Sequence, residues 1–284
     1  MTKKIVALVD GSIYSRSVCE NAAWIASRLG AAVELLHVLG RREGAESNDL
    51  SGSIALGARS ALLEELTALD EQRAKLQQQR GRAILDDAKA VIEAAGAGPV
   101  TTRLRIADLV ETTAEAEADA DMLVIGKRGE AADFARLHLG SNIERIVRAS
   151  HKPVYIAARA FHAPERFLIA FDGGPSSLKA VEHVTASALF AGLECHLLMA
   201  GDAGGDLRRK LDEADARLQS AGFTVKAFVA PGAPEAAIAA HVDSQKIGLL
   251  VMGAYGHSRI RSLIIGSTTT EMIRSCKVPV VLFR

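Results

Sequence analysis

Residues 5–12 read IVALVDGS and residues 167–174 read FLIAFDGG: an apolar run that stops at an acid followed by glycine, written twice in one chain. At this offset of 162, Asp10 falls on Asp172, Gly11 on Gly173 and Gly30 on Gly192. Further on, LVIGKRG at 123–129 matches LVMGAYG at 250–256, and LGSNIERIVRASHKPVYI at 139–156 matches IGSTTTEMIRSCKVPVVL at 265–282, at offsets of 127 and 126. Such extended self-similarity means two copies of one unit. The fall in offset from 162 to about 126 places roughly 36 extra residues in the first copy, nearly all between Val38 and Leu85. A first domain is therefore expected over 1–160, with a helical insertion at about 40–82, and a second over 165–284.

Each copy alternates short apolar runs with longer helical patterns, the signature of an α/β fold with a doubly wound parallel sheet. The first copy predicts strands near 4–9, 33–38, 100–105, 121–125 and 153–157, with helices near 14–29, 58–95, 107–118 and 141–149. The second predicts strands near 166–171, 194–199, 224–228, 248–252 and 278–283, and helices near 176–190, 205–220, 234–243 and 267–274. Proline introduces the last strand of each copy, where no central ladder bond is lost.

Composition narrows the function. Of the 284 residues, 49% are hydrophobic but only 4% aromatic, so Ala, Leu, Val and Ile must fill the cores, as suits helices on parallel strands. With 34 basic and 34 acidic side chains the net charge is zero, which gives no electrostatic footprint for nucleic acid or anionic lipid. Three scattered cysteines form no CxxC and no complete disulfide set, pointing to a reducing cytoplasm. The apolar run after the N-terminus stops at Asp10, short of a signal peptide, and no stretch approaches the ~18 apolar residues of a membrane span. The eight histidines form no metal-binding array.

The extra segment begins with small and polar residues and continues as LLEELTALDEQRAKLQQQRGRAILDDAKAVI, whose leucines are spaced for one helical face. That spacing predicts a long packed helix behind a surface loop, in preference to a lid over the adjacent site. Gly81 interrupts the face and predicts a kink or break.

Chemistry concentrates after the fourth strand of each copy. In the second, Gly253-Ala-Tyr-Gly256, nine residues and then Gly266-Ser267-Thr268 lie between a strand and a helix. Glycines there let the chain turn tightly and leave N–H groups open at a helix start, and Ser267 and Thr268 add hydroxyl donors. This is a phosphate-binding arrangement. The pattern G-x-x-G-x9-G-[ST], after a strand and with an early strand ending in Asp, resembles the universal stress protein family, and the whole chain resembles a tandem pair of its domains. The resemblance implies two Rossmann-like units, each a five-stranded parallel sheet with helices on both faces. It also implies ATP, alone or with Mg²⁺, over the carboxyl ends of the first and fourth strands. Gly253, Gly256, Gly266, Ser267 and Thr268 would then cradle the ribose and phosphates, Asp172 would face the nucleotide, and the backbone around Met199 and Ala200 would read the adenine.

In the first copy the corresponding positions are Asp10, Val38, Gly126, Gly129, Gly140, Ser141 and Asn142. Here ten residues rather than nine separate Gly129 from Gly140, and Glu130 and Asp133 lie between them. The acids repel phosphate unless offset by a cation or by Lys127 and Arg128. Each Asp also has a plainer reading, as a cap for the following helix.

Neither a Walker lysine nor clustered metal carboxylates are evident, so the expectation is a nucleotide-dependent stress or regulatory adaptor. It would have no dedicated enzyme activity beyond slow ATP hydrolysis, and its protein partner is unspecified. A nucleotide-free interaction scaffold and, third, an adenylating enzyme of a related fold are the alternatives. Duplication and apolar last strands further predict a pseudo-dimer within the chain, compatible with a homodimer of chains.

Overall fold

A computed structural model describes residues 3–40, 56–127, 141–201, 204–254 and 266–284, with the side chains of 56–61 and 141 left aside. The first half runs β1 (Lys4–Leu8), α1 (Ser15–Leu29), β2 (Ala32–Leu39), α2 (Leu56–Ala94), β3 (Val100–Ile106), α3 (Leu109–Glu117), β4 (Met122–Gly126), α4 (Ser141–Ala149) and β5 (Val154–Ala157). The second runs β6 (Arg166–Ala170), α5 (Pro175–Ala186), β7 (Glu194–Ala200), α6 (Gly205–Ser220), β8 (Val225–Ala230), α7 (Pro234–Ser244), β9 (Leu249–Gly253), α8 (Ser267–Ser275) and β10 (Val280–Phe283).

All ten strands join one sheet in the order β3-β2-β1-β4-β5-β10-β9-β6-β7-β8. Every pairing is parallel except that of β5 with β10, where Val280 lies opposite Ile156, Val281 opposite Tyr155 and Leu282 opposite Val154. Strand alternation divides the core in two. Ile5, Ala7, Tyr155, Phe167, Ile169 and Val281 face α1, α2, α5 and α6, whereas Val6, Ile156, Leu168 and Leu282 face α3, α4, α7 and α8.

Side chains lock the antiparallel seam from both sides. Arg284 Nη1 donates to the Arg148 carbonyl at the end of α4 (2.8 Å), and Lys127 Nζ donates to the Cys276 carbonyl at the end of α8. Each half thus places a cation at the negative terminus of a helix from the other. Arg28, stacked over Trp24 at 5.4 Å, donates to the Leu189 carbonyl across the same boundary (2.6 Å).

The insertion departs from expectation in two ways. Gly81 does not break α2, which is one helix of 39 residues, about 58 Å long at 1.5 Å per residue. A side chain at Gly81 would stand 2.8 Å from Leu104 and 3.0 Å from the His37 ring, so glycine lets the helix lie on the ends of β2 and β3. Nor is the leucine face packed. Leu85, Ala88 and Ile92 enter the core, but Leu63, Leu66, Leu69 and Leu76 are 54, 38, 55 and 64% exposed. Helical periodicity reports that a face is apolar, not that the same chain covers it. Because Gly81 sits at the carboxyl ends of β2 and β3, the preceding residues project past that edge of the sheet as an arm.

Candidate functional site

In each half the strand order reverses direction between the first and fourth strands, which opens a crevice at their carboxyl ends. The turn leaving the first strand holds its acid by the same two contacts in both halves. Asp10 Oδ1 accepts from Ser12 N (2.9 Å) and Ser15 Oγ (3.1 Å); Asp172 Oδ1 accepts from Gly174 N (2.9 Å) and Ser177 Oγ (2.7 Å). Gly11 and Gly173 hold φ of 77° and 70°, a left-handed conformation that explains glycine after each acid. Asp10 does not cap α1, whose N-cap position is Tyr14 without a side-chain bond. The acids shape the turn instead, and the serines that fix them, Ser15 and Ser177, share the repeat offset of 162. That signal was readable in the sequence.

The second strand supplies open backbone groups. Val9 N donates to Leu36 O (3.0 Å), and Phe171 N to Leu198 O (2.8 Å), closing the ladders between β1 and β2 and between β6 and β7. Two residues on, strand parity turns the N–H and C=O of Val38 and Ala200 toward the same side, where the first strand has already ended. Neither residue has a partner there among the described residues. Gly201 N donates instead to Ala230 O (2.8 Å), so the backbone of Met199 faces β8, and its side chain is buried. Parity therefore singles out Ala200, not Met199, as the open edge. His37, at the position equivalent to Met199, turns its Nδ1 onto the Val9 carbonyl (2.7 Å).

At the fourth strand of the second half, a Cβ on Gly253 would lie 2.7 Å from Ser176 Cβ. This glycine admits the first turn of α5 against β9. Gly266 occupies the N-cap of α8 with no side-chain cap, and its N–H bonds the Ala254 carbonyl (3.3 Å). The first N–H groups of α8 consequently lack the carboxylate that Asp108 gives α3, where Oδ1 accepts from Val110 N (2.9 Å) and Glu111 N (3.1 Å). Ser267 is exposed. Thr268 is not idle, since its hydroxyl donates to Glu235 Oε1 (2.6 Å), and this bond, before any other cause, holds the Glu235 carboxyl below its ordinary pKa. Thr269 Oγ1 ties the same turn to the Gly253 carbonyl (3.1 Å).

Gly129, Gly140 and Gly256 lie outside the described residues, as does the Ser141 side chain. Gly126 ends β4, and Asn142 lies exposed in the first turn of α4. The halves also differ at the mouth of the crevice. Ile84 of α2 lies over Gly11, whereas Leu207 and the aliphatic stem of Lys210, both of α6, lie over Gly173, and the Lys210 ammonium pairs with Asp206 (3.3 Å).

A separate polar cluster lies at the opposite edge of the sheet. His196, buried in β7, meets Glu194 Oε1 through Nε2 and His241 Nε2 through Nδ1, both at 2.8 Å. Lys226 lies 2.7 Å from Glu194, and this hydrogen bond, followed by that from His196, lowers the Glu194 carboxyl to about 2. Among the described residues, no group of three or more potential ligands forms a metal site, and no helix is long and apolar enough to cross a membrane.

A profile of the Universal stress protein family matches residues 1–158 and 198–284. The chain is 37% identical to universal stress protein Slr1230 of Synechocystis, over 99% of its own length and all of that protein. A universal stress protein of Mycolicibacterium smegmatis is 25% identical over 65% of this chain and 69% of its own. The crystal structure of a universal stress protein from Archaeoglobus fulgidus superposes with a TM-score of 0.72 at 21% identity, covering 99% of this chain and 98% of that one, and so shares the fold. Two repeats with matching turns, one profile spanning both, and a relative aligned end to end make the chain a member of the universal stress protein family, in tandem two-domain form.

Proposed function

We propose that the chain is an ATP-binding regulatory stress protein, built of domains at 1–160 and 165–284, whose second half is the principal nucleotide site. The N-terminus of α8 carries this reading: a helix start whose first N–H groups have no side-chain cap among the described residues, at the carboxyl end of the strand beside β6, suits a phosphate. The open backbone edge of Ala200 would serve the adenine, and the Asp172 turn the ribose side. Mg²⁺ would accompany the phosphates and offset Glu235. Leu207 and the stem of Lys210 lie where the first half has Ile84, with the Lys210 ammonium paired to Asp206. Among the described residues no group is placed to activate a nucleophile, which favours occupancy-dependent regulation with slow hydrolysis. The seam of β5 and β10 acts as an internal dimer contact. Three buried cysteines, all free, suit a reducing cytoplasm.

The test is calorimetry with ATP and Mg²⁺ on Gly266→Val, with circular dichroism on the same samples. The substitution places a branched side chain where phosphate must approach, so binding in the second half should be lost with the fold intact. Ser267→Ala should cost only about 0.5–1.5 kcal/mol, because the backbone donors remain. Unchanged stoichiometry and affinity in folded Gly266→Val would favour the nucleotide-free scaffold. Gly140→Val in the first half reports whether that copy is occupied as well.

A further inference from the structure

We infer that the projecting part of α2 is a self-recognition arm, which pairs two chains through an antiparallel two-helix contact. Along this arm Leu62, Leu69 and Leu76 recur every seven residues, interleaved with Leu66, Arg73 and Arg80 at the alternate seam positions. Leu66, Leu69 and Leu76 are 38, 55 and 64% exposed, so these three leucines lack a cover among the described residues. Isolated exposed leucines are ordinary, but leucines exposed at heptad spacing along one helix form a docking face.

Charge identifies the occupant. Residues 64–71 hold four acids and no base, and residues 72–82 hold four bases and no acid. The arm is thus complementary to itself when reversed, whereas a parallel partner would set acid on acid and base on base. One antiparallel register satisfies both seam and charge: Leu66 of one copy on Leu76 of the other, Leu69 on Arg73, and Leu62 on Arg80, each twice by symmetry. The aliphatic stems of the arginines cover the leucines opposite, and their guanidinium groups reach the acidic stretch of the other arm. Pairing occurs beyond the carboxyl edge of the sheet and involves neither the seam of β5 and β10 nor any nucleotide residue.

Sedimentation of the full chain tests this. The wild type should run at twice its 30.1 kDa. Leu69→Gln/Leu76→Gln, which keeps residues that favour helix, should run at the single-chain mass or dissociate roughly tenfold or more readily. A chain carrying Glu64→Lys, Glu65→Lys, Asp70→Lys and Glu71→Lys and another carrying Arg73→Glu, Lys75→Glu, Arg80→Glu and Arg82→Glu should each be monomeric alone and form a one-to-one pair when mixed. For orientation, a mixture of Leu66→Cys and Leu76→Cys chains should crosslink between the two variants rather than within either; the native cysteines are buried. A monomeric wild type, a dimer indifferent to the leucine substitutions, failure of the charge-reversed chains to pair, or crosslinks between like variants would each overturn the inference.

Discussion

Replacing Gly253 by alanine isolates one contact that shapes the second crevice. The added Cβ would stand 2.7 Å from Ser176 Cβ and 3.3 Å from both the Ser176 carbonyl carbon and Ser177 N. Carbon atoms rest about 3.5–4.0 Å apart, so the first contact is about 1 Å too short. Two of the three atoms belong to the α5 backbone, so no rotamer change relieves the clash and the helix start must move. Overpacking of this kind costs about 1–3 kcal/mol. Gly253 is not among the left-handed glycines, so alanine brings no backbone strain, and its smaller unfolded-state entropy returns about 0.4–1 kcal/mol. The expected net loss is about 1–2 kcal/mol, read as a lower urea midpoint. In a Ser176→Gly background the shortest contact is gone, and the cost of Gly253→Ala should fall to about half or less. Equal costs in the two backgrounds, or a change below about 0.5 kcal/mol in the wild type, would refute the steric account.

Tyr155→Phe removes the hydroxyl that donates to Asn21 Oδ1 at 2.7 Å and leaves a buried amide oxygen unpaired; chemical denaturation should show a loss of about 1–3 kcal/mol. His241 and His183 are held below the ordinary histidine pKa, first by burial and then by His196 and Lys3 respectively. The unfolded chain takes up these protons near pH 6.5 while the folded one resists, so stability is full above that value and should fall as pH is lowered through it. Unfolding midpoints between pH 8 and 5.5 measure the fall, and His241→Phe should flatten it. Glu194 acts in a lower window, its contribution present above about pH 4.5 and lost on acidification toward about 2. Residues 1–160 and 165–284 expressed separately should reassociate when mixed, because each alone exposes β5 or β10 as an open edge; stable monomers after mixing would show the seam to be weak.

The repeat at Asp10 and Asp172 carried most of the architecture, because alternating strand and helix patterns leave few ways to connect a parallel sheet. All ten strands and all eight helices lie within a few residues of expectation. The site was legible at its turns, where glycine and acid recur for conformational reasons. It was less legible in backbone direction: the family resemblance names both Met199 and Ala200 for the adenine, and only strand parity separates the one whose backbone faces the crevice from the one that faces β8. The role of Gly253 as a steric notch for Ser176 depends on a partner 77 residues away in the chain and has no local signature. Gly81 misled for the same reason, since a glycine required for close approach looks, in sequence, like one that weakens a helix. The leucines of α2 were seen as a face, but burial is a property of the neighbours.

Covalent fusion of the two copies has a consequence for assembly size. A dimer of identical single domains would carry any appendage twice, once on each side of its axis, and self-pairing appendages would then link unit to unit without end. Here only one copy bears the arm, so the pair of domains is monovalent. Association through it closes at two chains and cannot propagate into a filament.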